Sequence, residues 1–418
     1  QRRVHGEYRL PRHCTMWPAT LCLILSTLCI SRAQEPNNAV STQVADATDS
    51  FSVELLKVVF GANDGNAVTS PVSVSTLLAL LQQGSGGNTE AQLTQVLHLE
   101  PQQSKQGYSQ LTRNLKESSG NVTLEFANAA FLKEGYPVKT QFKSILEQDF
   151  QANIQPTDFN NPPVAADEIN SWVTNKTHDK IQNLVSADTL PTATILVLVN
   201  AIYFKGLWQT PFEKRNTRND NFFIQPNSPK QVPTMHLKDS LLTGNLDELD
   251  SRWLRLPFQG DRFYLLIILP NAQDGVQSLV NNITGPQIFD LINNLESRGS
   301  SPEVVLSLPK FKLDTTLQLG PALQEIGLTD IFTQQANLSG ISEQPLRVSK
   351  VVQKAHIEVD EEGATAAAAT GIFGVGMALI QTPPPLVFSV DHPFIAFIVD
   401  DHSKIPLFVC KVTDPATA

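Results

Sequence analysis

Apolar residues recur at helical spacing in the first half of the chain and in short unbroken runs in the second. FSVELLKVVFGAN (51–63) places apolar side chains three and four apart and stops at Gly61, which predicts an amphipathic helix. SPVSVSTLLALLQQGSGG (70–87) predicts another, with Ser70 as its cap and Pro71 at its first position. NTEAQLTQVLHL (88–99) predicts a third capped helix, and VKTQFKSILEQDF (138–150) and VAADEINSWVTNKT (164–177) are again amphipathic. Further on, TATILVLVNAIYFKG (192–206) is apolar almost throughout, the pattern of a strand covered on both faces. FYLLIILP (263–270), EVVLSLPKFKLD (303–314), LVFSV (386–390), FIAFIVD (394–400) and IPLFVCKV (405–412) predict strands of the same kind. Helices first and strands later, with no internal repeat or low-complexity linker, predict a single α+β domain built on large sheets.

With 418 residues, 41% of them hydrophobic and 17% charged, the chain can bury a sizeable core. One apolar segment stands outside this pattern. MWPATLCLILSTLCISRA (16–33) has a short apolar run followed by small residues at Ser31 and Ala33, which predicts a secretory signal peptide cut after Ala33. A membrane anchor is the rival reading, but the run is shorter than the ~20 residues that a span needs. Residues 1–15 precede Met16 and read as translated upstream sequence. Loss of 1–33 removes five arginines and Glu7, so the formal charge moves from −10 to −14. Such a surface repels nucleic acid and anionic lipid. Cys14, Cys22 and Cys29 go as well, and Cys410 alone can form no intrachain disulfide. Four sequons, at Asn121, Asn175, Asn282 and Asn337, predict a secreted glycoprotein.

Catalytic patterns are missing: there is no G-x-S-x-G, H-E-x-x-H, C-x-x-C or G-x-x-x-x-G-K-[ST]. No enzyme, cofactor or metal is therefore predicted. His236, His356, His392 and His402 lack metal-ligand spacing and read as structural or surface residues. Asp360, Glu361 and Glu362 read as a solvated sheet end, since neighbouring carboxylates on a strand point to opposite faces. Cys410 reads as a small apolar side chain within a strand. What remains unusual is EEGATAAAATGIFGVGMALIQTPPP (361–385), in a region with no charge between Glu362 and Asp391. Alanine favours helix over strand, yet Gly371, Gly374 and Gly376 break a helix and the prolines end it in extended chain.

Several stretches, taken in order, resemble the serpin family of serine protease inhibitors. They are SPVSVSTLLALLQQGSGGNTEAQLTQVL, LVNAIYFKGLWQTPFE (198–213), LRLPFQGDRFYLLIILP (254–270), VSKVVQKAHIEVDEEGATAAAAT (348–370), DHPFIAFIVDDHSKIPLF (391–408) and KVTDP (411–415). The resemblance covers essentially all of 34–418 and is similar in character to secreted invertebrate members. It implies a serpin fold: three β-sheets, about nine helices and an exposed reactive-centre loop, here 361–385.

It further implies a suicide substrate that traps its target serine protease covalently and acts as a monomer. After cleavage, the loop's first part inserts into the central sheet, so its inward side must carry no charge, because burying an unpaired charge costs several kcal/mol or more. Glu361, Gly363, Ala364, Thr365, Ala366, Ala367, Ala368 and Ala369 form the implied hinge, and the small uncharged run supports inhibition. Counting fourteen positions from Gly363 gives Met377–Ala378 as the reactive bond. The loop is longer than in many members, which leaves Gly376, Ala378 and Leu379 as other positions for the bait residue. An apolar Met suits a chymotrypsin- or elastase-like protease, and a papain-like cysteine protease stays open as a target.

Ser70, Ser73, Asn200 and Gln353 match the family's sheet-opening region, with Gln353 where a histidine is common. Capping and ordinary core satisfaction explain these residues equally well. A strong polyanion cofactor is not expected, since 100–119 offers only Lys105, Arg113 and Lys116. The alternative is a non-inhibitory serpin acting as carrier, hormone precursor or chaperone.

Overall fold

The computed structural model of the chain describes residues 35–116, 122–361 and 384–417. In chain order the first elements are α1 (Glu35–Gly61), β1 (Ala67–Thr69), α2 (Pro71–Gln82), α3 (Gly87–Leu97) and α4 (Pro101–Lys116). Next come β2 (Val122–Lys133), α5 (Thr140–Gln148), β3 (Asn153–Thr157), α6 (Pro162–Lys176) and β4 (Leu196–Gly206). The strands β5 (Arg218–Gln225), β6 (Ser228–Ser240), β7 (Thr243–Leu246), β8 (Ser251–Pro257) and β9 (Phe263–Pro270) follow without an α-helix between them. Then come α7 (Val276–Asn282), α8 (Gly285–Arg298), β10 (Glu303–Pro309), β11 (Phe311–Gln318) and α9 (Gly320–Glu325). Four strands close the chain: β12 (Val348–Val359), β13 (Leu386–Ser389), β14 (Phe394–Asp400) and β15 (Ile405–Val412). The described residues thus hold nine α-helices and three sheets, the architecture expected of an α+β serpin fold.

The five-stranded sheet has the order β11-β12-β4-β2-β3, the six-stranded sheet β1-β15-β14-β9-β8-β7, and the four-stranded sheet β13-β10-β6-β5. Every pair in the six-stranded sheet is antiparallel. In the five-stranded sheet the central strands β12 and β4 run parallel. A core lies on each face of that sheet. Leu196, Leu198, Ile202 and Phe204 of β4 point into the main core, while Val197, Val199, Ala201 and Tyr203 meet Ala165, Ile169 and Val173 of α6 on the other. This alternation is the period-2 signature of a strand. Helix α2 is buried along its full length, lying against β4, β2 and β15. It touches both large sheets.

Several expectations need correction. Ser70 does occupy the position before α2, but its hydroxyl caps nothing. Helix α3 begins at Gly87 with Gly86 before it, so no side chain from 88 onward caps it. EVVLSLPKFKLD is not one strand: it divides around Lys310 into β10 and β11, which belong to different sheets. Strands β2, β3 and β5 to β8 lie in stretches where local pattern gave no strand, because their residues alternate weakly or carry many polar groups. Asp49 of α1 is fully buried, and neither carboxylate oxygen has a hydrogen-bond partner. Burial, reinforced by Asp46, pushes its carboxyl well above the ordinary range. The segments read as upstream extension and signal peptide (1–33) fall outside the described residues. Among the described residues, no helix is long and apolar enough to cross a membrane.

Candidate functional site

The pairing of β12 with β4 sets Gln353 directly beside Asn200, and the pairing of β4 with β2 sets Asn200 beside Asn128. Three amides therefore line up across three strands at the centre of a sheet. Ser70 and Ser73, at the start of α2, meet this row from the main-core side. The Gln353 amide closes onto the Ser70 backbone: its Oε1 accepts from Ser70 N at 3.0 Å and its Nε2 donates to Ser70 O at 2.9 Å. Oε1 also accepts from the Thr69 hydroxyl at 2.7 Å, and Nε2 donates to Asn200 Oδ1 at 2.7 Å. Asn200 Nδ2 in turn donates to Ser73 Oγ and to Asn128 Oδ1.

The structure thus brings together all four residues of the expected sheet-opening region, Ser70, Ser73, Asn200 and Gln353, each fully buried. It adds Thr69 and Asn128, which local pattern did not single out. Asn128 was marked only by being polar within the apolar run FANAAF. An amide carries both a donor and an acceptor, so Gln353 serves two strands and a helix at once without a titrating group.

The end of β12 is a second focus. Asp360 and Glu361 are not a solvated sheet end. Glu361 is only 6% exposed, with Lys310 Nζ at 2.6 Å from Oε2 and the Thr217 hydroxyl donating to Oε1 at 2.7 Å. Burial raises this carboxyl, but the hydrogen bonds from Lys310 and Thr217 outweigh it and hold the group below its ordinary range. Lys310 can reach Glu361 because the chain leaves one sheet for another there. Asp360 pairs with Lys205 at 3.4 Å, and its backbone carbonyl accepts from Trp208 Nε1 at 2.8 Å. Trp208 is itself clamped, stacked on Phe258 at 4.4 Å and meeting Phe212 edge-on. The exit of the chain from β12 is therefore fixed up to Glu361.

Glu362, the hinge positions Gly363, Ala364, Thr365, Ala366, Ala367, Ala368 and Ala369, and Gly376, Met377, Ala378 and Leu379 lie outside the described residues, as does Asn121. Asn175, Asn282 and Asn337 are exposed. His236 lies between Asp220 and Ser307, His356 beside Asp314, and His392 between Asp391 and the Pro270 carbonyl. Among the described residues, no three His, Cys, Asp or Glu side chains converge as metal ligands. Burial pushes the Cys410 thiol far up, so it behaves as an apolar group.

Comparison with known proteins gives one answer throughout. Residues 46–415 match the family model described as serpin (serine protease inhibitor). Iripin-2 of Ixodes ricinus is 37% identical over 399 residues, covering 94% of this chain and 98% of that protein. Antichymotrypsin-2 of Bombyx mori is 32% identical over 365 residues, covering 87% and 96% respectively. The crystal structure of Manduca sexta serine protease inhibitor (serpin)-12 is similar with a TM-score of 0.80 at 33% identity, over 88% of this chain and 98% of that one.

Proposed function

The chain belongs to the serpin family, whose members are protease inhibitors and not enzymes, and we propose that it is a secreted suicide substrate of a chymotrypsin- or elastase-like serine protease. The observation that carries this reading is the parallel pair β12–β4, closed at its centre by an amide network and ending at an anchored Glu361. A chain that turns back after Glu361 runs antiparallel to both strands, so its entry replaces one parallel pairing by two antiparallel ones, which are slightly more stable per residue. The run 363–376 follows Glu361 in sequence and has the composition to do this. As a strand its fourteen residues reach about 46 Å at ~3.3 Å per residue, and Ala364, Ala366, Ala368, Thr370 and Ile372 would share one uncharged face.

The chemical step belongs to the protease. Its serine adds to the carbonyl of Met377, the bond to Ala378 breaks, and the amine of Ala378 leaves as a new N-terminus. The acyl-enzyme ester on Met377 is then drawn along as the loop inserts, and distortion of the protease halts hydrolysis. An unbranched apolar side chain at the bait position fits a hydrophobic or medium-sized pocket, and no Arg or Lys lies between Glu362 and Lys404 to attract a trypsin-like enzyme. The antichymotrypsin among the relatives supports the same class of target. On α4, Lys105 is already paired with Asp149 at 2.9 Å, which leaves little positive surface for a polyanion. Secretion would follow from cleavage after Ala33, with glycans on Asn121, Asn175, Asn282 and Asn337.

Incubation with chymotrypsin, elastase and trypsin, followed by denaturing electrophoresis and mass analysis, tests the proposal. The expected result is an SDS-stable complex with chymotrypsin or elastase and a released peptide beginning at Ala378. Proteases that cut the loop yet never form a stable complex would refute it and favour the non-inhibitory alternative.

A further inference from the structure

The seam between β4 and β12 has an outer face, and its chemistry differs from that of the amide row inside. On this face the register sets His356 beside Tyr203. The two rings stack with centroids 5.4 Å apart and planes inclined by 25°. Both residues are buried, at 7% and 4% exposure. Each ring is also held by its own half of the sheet. His356 Nδ1 lies 3.4 Å from Asp314 Oδ2 on β11, and that carboxylate is paired with Lys354 of β12 at 3.4 Å. Tyr203 lies under Lys180 Nζ, 5.6 Å from its ring centre, in the segment that joins α6 to β4. The histidine thus belongs mechanically to β11 and β12, and the tyrosine to β4 and the α6 connection.

We infer that the Tyr203–His356 stack is a latch on the outer face of the seam, closed only while the loop is outside the sheet, which sets how readily the sheet opens. This rests on the insertion reading given above. A strand inserted between β4 and β12 moves them to two strand spacings, roughly 9.6 Å, beyond the ~7 Å limit at which aromatic rings interact. The stack therefore stabilises the closed sheet and contributes nothing to the inserted one. Its effect falls entirely on the opening equilibrium. Lys354 adds a second outer restraint, donating to Gln182 O at 2.9 Å across to the same α6 connection. Tyr203 and His356 act through the sheet and touch no substrate, so they are positioning residues.

The test uses the full chain in two forms, uncleaved and cut within the loop. His356→Val and Tyr203→Leu are each expected to lower the melting temperature of the uncleaved form by a few degrees. Each should also speed uptake of a synthetic peptide of sequence 363–376 by roughly two- to tenfold, the range spanned by a single aromatic pair. In the double variant the two effects should be non-additive in the uncleaved form and additive in the cut form. Tyr203→Phe, which keeps the ring, should behave as the parent. Equal coupling in both forms, or peptide uptake that no variant accelerates, would overturn the latch. A parent protein whose melting temperature does not rise on cleavage would instead overturn the insertion reading beneath it, and that result is distinct from either.

Discussion

In the six-stranded sheet the two central strands set Ile395, Ala396, Phe397 and Ile398 against Ile268, Ile267, Leu266 and Leu265, antiparallel and fully buried. At the centre of the five-stranded sheet, parallel strands set Gln353 against Asn200 on one face and His356 against Tyr203 on the other. The first arrangement is held by interdigitated volume, which has no graded way of coming apart. The second is held by a handful of directional contacts, of the kind that the proposed incoming strand could replace one at a time. Polar residues at the heart of a sheet cost stability relative to packed apolar ones, and here a row of them lies along the seam that the proposed insertion would part.

The contrast can be broken most severely by spoiling the incoming strand. Ala364→Arg would place a charge on the inward face, and the yield of SDS-stable complex should fall at least tenfold while cleavage of the loop continues, with burial of an unpaired charge as the cause. Full complex formation by this variant would refute insertion. Phe397→Ala attacks the closed sheet instead and should cost about 3–5 kcal/mol. Calorimetry should find that loss in uncleaved and cut protein alike, because this sheet is common to both.

Asn200→Ala should cost about 1–3 kcal/mol by orphaning the Gln353 amide and its partners. Here the loss should be larger in the uncleaved form, and equal losses would show that the network is ordinary core. The smallest effect expected is a gain. The Asp49 carboxyl has a folded pKa raised above its unfolded value, so its favourable contribution is present below about pH 3.9 and is lost as pH rises toward the folded value. Asp49→Asn should therefore raise the melting temperature at pH 7 by a few degrees, with the gain shrinking toward pH 4. A gain that is independent of pH would point to some cause other than ionisation.

Much of the six-stranded sheet was legible from pattern alone. FYLLIILP, FIAFIVD and IPLFVCKV coincide with β9, β14 and β15 because each is a continuous apolar run with clear punctuation at both ends. EVVLSLPKFKLD was not, since its apolar character continues across Lys310 and only long-range pairing assigns its two halves to different sheets. The same break hid the burial of Glu361, whose partner Lys310 is distant in sequence and adjacent only once both sheets exist. Ser70 was placed correctly at the start of α2, yet its backbone, not its hydroxyl, is what Gln353 engages. Thr69 and Asn128 acquire meaning from register and burial, which local composition does not encode. Ser70, Ser73, Asn200 and Gln353, which the family resemblance groups as a sheet-opening region, do meet in space, while the loop that would use them lies outside the described residues.

The first turn of α2 is tied from two directions: Ser70 is bound by Gln353 of β12, and Ser73, three residues on, by Asn200 of β4. Were those strands to separate, as the proposed insertion requires, a rigid turn of helix could not follow both. One tether would have to let go, and the half of the sheet that kept its grip would stay at rest with α2 while the other travelled. In the proposed insertion, the order of release at a single helical turn would choose which side of the molecule is the anvil and which the moving jaw.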